Sequence, residues 1–175
     1  MKKILGLVAS LTVIAGVCAA VLAYVDSLTK GPIAEMMVKK TNEAAKSVMP
    51  EGVVSVAEEN GLYVGKDGTG KVLGYAVRGK DSGGYGGDIV LMVGFQADRE
   101  TIVCYKALQA SETPGLGTKL STPEFSGQFA GLKANTSLKV KADGGIINAI
   151  TSATITSRAV CAAIADAKKR LAAGK

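Results

Sequence analysis

No histidine occurs in the 175 residues of this chain. That absence removes a Ser-His-Asp triad, a Cys-His nucleophile pair, zinc sites that need His, and a His-ligated haem. Cysteine is scarce as well. Cys18 lies in an apolar N-terminal run, while Cys104 and Cys161 stand far apart, without a Cys-x-x-Cys unit. Four thiolates for an iron–sulfur cluster cannot come from this chain alone. Cys104 and Cys161 are left as free buried thiols or as partners in a disulfide. Tryptophan is missing and aromatic residues make up only 5%. The net charge of +6 is therefore not interleaved with stacking side chains, and the pattern argues against nucleic acid as a partner. No resident metal and no catalytic acid or base stand out. Redox chemistry on such a chain requires an organic cofactor.

Charge is also absent from Ile4 to Val25, a stretch of about 22 residues, long enough to cross the hydrocarbon core of a bilayer as a helix. A cleaved signal peptide is the rival reading, but its apolar core usually runs to roughly 7–15 residues. Val17 is bulky where lipoprotein processing at Cys18 needs a small residue. The run is expected to be an uncleaved single-pass anchor in the cytoplasmic (inner) membrane. Lys2 and Lys3 favour a cytoplasmic N-terminus, which puts everything after Asp26 on the extracytosolic side. The expected organisation is an anchor over 1–27 and one extracytosolic domain over 28–175. Lys168, Lys169, Arg170 and Lys175 crowd the end of a C-terminal helical pattern, where positive charge suits the helix dipole. Weak attraction to membrane lipid headgroups and plain solvation both account for them.

Leu28 to Pro32 reads as a linker, and Pro32 can open a helix whose apolar positions run from Ile33 to Val48. Met49-Pro50-Glu51-Gly52 breaks it. Five apolar stretches with strand texture follow: 53–57, 61–64, 71–78, 88–96 and 100–108. Asn60-Gly61, Asp67-Gly68 and Asp98-Arg99 are their turns. A sixth strand is expected over 137–141, and a final helix from about Ser157 to Ala173, with Val160, Ile164, Ala167 and Leu171 on one face. The fold class is α+β: an N-terminal transmembrane helix, then a twisted antiparallel sheet packed by two helices.

Three constellations stand apart from this scaffold. The first is Asn148-Ala149-Ile150-Thr151-Ser152-Ala153-Thr154-Ile155-Thr156-Ser157, rich in hydroxyls and free of charge. Placed before a helix, it is either an ordinary cap or a phosphate cradle, because the first N–H groups of a helix lack internal partners. The second, Glu112-Thr113-Pro114-Gly115-Leu116-Gly117, follows a strand and suits a tight type II turn. The third, Gly83-Gly84-Tyr85-Gly86-Gly87, joins two strands.

Together, in this order and behind an anchor, they resemble the FMN-binding domain found in the G subunits of Rnf electron-transport complexes and the C subunits of sodium-pumping quinone reductases. The attachment motif of that family reads Asp, two variable residues, Ser or Thr, Gly, Ala, Thr. Thr151 takes the Ser/Thr place, Ala153 the Ala place and Thr154 the place of the attachment residue. Asn148 stands where the family has Asp, Ser152 where it has Gly, and Ala110 where it often has His. The resemblance implies FMN held covalently through a phosphoester to Thr154, installed by a flavin transferase with FAD as donor. It implies phosphate contacts from Thr151, Ser152, Thr156 and Ser157, near a helix start at Thr156 or Ser157. It also implies ring contacts from Tyr85 and from Glu112, Thr113, Gly115, Leu116 and Gly117. The implied role is that of an electron-transfer component of an ion-translocating ferredoxin:NAD oxidoreductase, with the other membrane subunits of an Rnf-type complex as partners. A stand-alone extracytosolic flavoprotein, or a cofactor-free structural subunit disabled at Asn148 and Ser152, are the alternatives.

Overall fold

The computed structural model describes residues 2–134 and 136–174. The chain divides into two compact units, Met1–Lys40 and Thr41–Lys175.

Helix α1 (Lys2–Ser47) is 46 residues long, about 69 Å at 1.5 Å per residue. It is long and apolar enough to cross a membrane, with a mean hydropathy of 2.5 over its most apolar stretch and none of that stretch buried. The expected linker at 28–32 is helical. Pro32 lies inside α1 and does not open a second helix. Proline removes one backbone bond, here to the Leu28 carbonyl, and the bonds of the turns on either side carry the helix through.

In the second unit, β1 (Ser55–Glu59), β2 (Leu62–Lys66), β3 (Val72–Gly84), β4 (Gly87–Gln96) and β5 (Ile102–Ala110) form one sheet in sequence order, every neighbour antiparallel. The alternation of β4 explains why its sequence is without a polar side chain from Ile89 to Phe95. Ile89, Leu91, Val93 and Phe95 point to one face and join the core beneath helix α3 (Thr154–Ala173). Val90 and Met92 point to the other and meet Ala44, Ala45, Val48 and Met49. A strand covered on both faces gains from apolar side chains at every position.

Cys104 and Cys161 settle on opposite faces of the sheet. Cys161 lies in the α3-side core and Cys104 packs on the other cluster, and both are free. The central strands separate them, so the disulfide left open by the sequence does not form. Burial pushes the Cys161 thiol up to about 11.

Between β5 and α3 the chain makes short helical turns, Gly117–Ser121, α2 (Pro123–Ser126) and Gly127–Phe129. They bury Leu120, Phe125 and Phe129, and Phe129 meets the rings of Tyr105 and Phe125 edge-on at 5.5 and 5.6 Å. The sixth strand is not formed. Residues 137–141 contribute only an isolated bridge, Val140 to Ile147, before a turn at Lys141–Asp143. The free edge of β5 near Ile102 is already bonded by Gly131 and Leu132, so no sheet edge is open to them there. Their apolar residues, Leu138 and Val140, are still buried.

Candidate functional site

The glycine turn at the end of β3, the loop after β5 and the start of α3 lie far apart in sequence and meet around one hollow of about 460 Å³. Tyr85 comes from the turn, Glu112, Thr113, Leu116 and Gly117 from the loop, and Ser152, Ala153, Thr154, Ile155 and Thr156 from the entrance to α3. Tyr85 is 72% exposed, Ile155 48% and Leu116 40%. Scattered apolar exposure is normal, but three such side chains facing one concavity make a surface suited to a flat apolar ligand.

The loop geometry follows from its residue types. Gly115 has φ +75°, and the Leu116 N–H donates to the Thr113 carbonyl at 3.2 Å. A positive φ at this point is what a type II turn requires. Thr118 Oγ1 accepts from the Gly115 N–H at 3.0 Å and braces the turn. At the other wall, Gly86 has no room for a side chain: a Cβ there would lie 1.7 Å from the Ser111 carbonyl oxygen.

Helix α3 begins at Thr154, one turn before the expected start, with Ala153 at the cap and no side-chain cap bond. Thr156 is therefore inside the first turn and is not the helix cap. The first N–H groups of a helix have no partner within it, and alanine supplies none at the cap. Those donors adjoin the hollow. Among the described residues no Lys or Arg lines it, and Glu112 is the one acidic side chain that does.

The hydroxyls of the motif separate by environment. Thr154 is half-buried and, like Ser152, borders the hollow. Thr156 is buried, and its hydroxyl donates to Glu112 Oε2 at 2.5 Å. Ser157 is buried too. It accepts from the Ile150 N–H at 2.9 Å and donates to the Ala153 carbonyl at 3.0 Å. Thr151 and Asn148 line a separate hollow of about 140 Å³, together with Lys119 and Gln128. Ser152 has φ +62°, the left-handed conformation that glycine adopts freely. Its departure from the family pattern thus keeps the backbone geometry that glycine provides. Asn148 is held through its main chain. Its N–H donates to Gln128 Oε1 at 2.8 Å, and Gln128 Nε2 donates to its carbonyl at 3.2 Å. An Asn side chain in place of Asp leaves that clamp untouched. Further along α3, Arg158 makes two bonds of 2.7 Å to Asp143, which hold the Asp143 carboxyl below the usual carboxylate range.

Sequence reasoning missed Ile155 and Gln128. Ile155 had a visible signal, an apolar residue inside a hydroxyl-rich motif. Gln128 had none, since its partner lies 20 residues away.

Residues 84–169 match the family described as the FMN-binding domain. The G subunit of the ion-translocating oxidoreductase complex of Methanosarcina acetivorans is 35% identical over 95% of this chain and 93% of that protein. The chain belongs to this family of FMN-binding G subunits. The G subunit of the Na(+)-translocating ferredoxin:NAD(+) oxidoreductase complex of Acetobacterium woodii is 34% identical, over 91% of this chain and 86% of its own length. Among solved structures, the C subunit of the Na(+)-translocating NADH-quinone reductase of Parabacteroides distasonis superposes with a TM-score of 0.51 at 25% identity, covering 61% of this chain and 58% of that one. NqrC of Shewanella oneidensis shares the fold, with a TM-score of 0.50 at 19% identity over 75% and 73% of the two chains.

Proposed function

We propose that this protein carries FMN covalently on Thr154 and relays electrons within an Rnf-type ion-translocating ferredoxin:NAD oxidoreductase, anchored by α1 with its domain on the extracytosolic side. The observation that carries this reading is the meeting of Thr154 with Tyr85, Leu116 and Ile155 around one hollow. The residues fit the group. Three apolar side chains suit the faces of the isoalloxazine ring, and the uncapped start of α3 suits the phosphate.

The charge inventory favours a tether. A phosphate monoester near neutral pH carries close to two charges and calls for Lys or Arg, which this hollow does not present. A phosphodiester carries one charge, which helix N–H groups and the helix dipole can stabilise. In attachment, Thr154 Oγ1 bonds to the flavin-side phosphorus of FAD, the pyrophosphate linkage breaks, AMP leaves, and the hydroxyl proton is lost. The flavin transferase supplies FAD and the catalytic groups. Thr154 supplies only an accessible oxygen, and the neighbouring hydroxyls are less available. Thr156 and Ser157 are buried and bonded, and Thr151 faces the other hollow. Ser152 is the remaining competitor.

Bound FMN supplies the ability to accept and pass on electrons. Leu116, Tyr85 and Ile155 would hold the ring and limit water around it, and the protein needs no acid or base of its own for this role. As in its relatives, whose names place them in multi-subunit complexes, this chain works beside other membrane subunits. Coexpression with a flavin transferase tests the assignment. Thr154→Ala abolishes the FMN mass increment and the fluorescence of the denatured band, whereas Ser152→Ala retains both. The opposite pattern moves the attachment to Ser152.

A further inference from the structure

Glu112 is the one buried carboxylate among the described residues of the folded unit, and it sits at the wall of the hollow with both oxygens engaged by the protein. One carboxylate oxygen, Oε2, accepts from the Thr156 hydroxyl at 2.5 Å. The other, Oε1, accepts from the Gly86 N–H at 3.2 Å. Two further glycines press against it: a Cβ on Gly84 would come within 2.7 Å of Oε1, and one on Gly117 within 2.6 Å of Oε2. A single side chain thus touches the turn that carries Tyr85, the loop that carries Leu116 and the first turn of α3.

We propose that Glu112 is a positioning residue, a carboxylate clasp that joins the glycine turn, its own loop and the first turn of α3, and thereby aims Thr154 and Tyr85 into the same hollow. Its lever arm is short. Thr156 follows Thr154 by two residues in the first turn of α3, so a fixed Thr156 side chain fixes the rotation of that turn about the helix axis. Gly86 follows Tyr85 directly, so a held Gly86 amide fixes the strand-to-strand turn from which Tyr85 projects. The helix start has no cap of its own, which leaves this bond as a side-chain anchor for it. A negative charge beside the first turn also suits the helix dipole. The geometry explains the residue type. An amide in place of the carboxylate keeps one acceptor and gains a donor that a threonine hydroxyl can accept, whereas alanine leaves Thr156 and Gly86 without a partner.

The importance of the clasp for attachment rests on Thr154 being the flavin-bearing residue, and the experiment has one arm that does not. In the dependent arm, the full-length protein in detergent is given purified flavin transferase and FAD, and the initial rate of the mass increment is measured. Glu112→Ala and Thr156→Val each slow it by about tenfold or more, and the double variant is no slower than the slower single, as expected for two members of one bond. Glu112→Gln recovers most of the rate. Unchanged rates in the singles, multiplying rates in the double, or a Gln variant as slow as Ala overturn the clasp.

In the independent arm, amide hydrogen exchange is followed in flavin-free protein. Exchange at Gly86 accelerates by about tenfold or more in Glu112→Ala, while the buried β4 amides of Leu91 and Val93 keep their wild-type rates, a local opening without global unfolding. Thr156→Val carries the same comparison if Glu112→Ala does not fold. Unchanged exchange at Gly86 overturns the proposal, as does equal acceleration at all three amides. A wild-type protein that takes no flavin overturns the assignment of Thr154, and the exchange arm then decides the clasp alone.

Discussion

Replacing Ser152 with glycine should stabilise the folded unit, and the size of the gain can be worked from its backbone. Ser152 sits at φ +62°, where a residue with a Cβ crowds the following carbonyl at a cost of about 1–2 kcal/mol. Its side chain makes no hydrogen bond among the described residues that would offset this. Glycine removes the crowding but loses more chain entropy on folding, about 0.4–1 kcal/mol. The difference leaves a net gain of about 0.5–1 kcal/mol, equivalent to roughly 2–4 °C in melting temperature for a unit of this size. Valine should act the other way, by about 1–2 kcal/mol, because a branched Cβ is the worst occupant of this region. Calorimetry of the full chain in detergent measures both shifts against the wild type. Because the backbone is already in the glycine-like conformation, Ser152→Gly should keep the FMN mass increment. A glycine variant that melts at or below the wild type, together with an unaffected valine variant, would refute the strain argument.

On the proposed assignment Leu116→Asp should leave covalent attachment intact yet move the visible flavin spectrum towards that of FMN in water, since the loop would meet the ring and not the bond; an unchanged spectrum would reduce the loop to a turn. Protease added to spheroplasts should remove the portion after Asp26 while a cytoplasmic control survives, and protection of that portion would reverse the assigned orientation. The intact mass should be the same before and after reduction, because Cys104 and Cys161 lie on opposite faces of the sheet. Cys161 should resist alkylation at pH 8, its thiol being buried and pushed up to about 11; rapid labelling of Cys161 in the folded protein would contradict that burial.

The strands were legible because their signals are local. Alternating or continuous apolar runs bounded by Asn60-Gly61, Asp67-Gly68 and Asp98-Arg99 mark five strands, and all five appear in sequence order. A meander needs nothing else, since each strand pairs with its chain neighbour. The failures share one cause. The 137–141 segment has strand-like residues, but whether it pairs depends on what occupies the edge of β5, and Gly131 and Leu132 are there first. At Pro32 a local breaker competes with a helix that continues on both sides of it, and the helix prevails. The helical turns at 117–129 carry too few residues to show a period.

At the site, residue chemistry was legible and direction was not. Five hydroxyls in one decamer pointed to a phosphate, but apart from the family resemblance no local pattern separates Thr154, half-buried at the hollow, from Thr156, buried at its wall with its hydroxyl held by Glu112. That separation comes from where α3 begins. A start at Thr154 puts Ser157 one turn on, where its hydroxyl closes back on the Ala153 carbonyl and its oxygen receives the Ile150 amide. A start at Ser157 would have left Thr156 outside the helix as a cap, free to meet a ligand. The partner that holds Thr156 inward lies 44 residues earlier in the chain, a distance over which no local pattern operates. Glu112 thus ties the loop signature to the hydroxyl-rich signature that holds the proposed attachment residue. The two motifs lie far apart in sequence, and this carboxylate joins them in the fold.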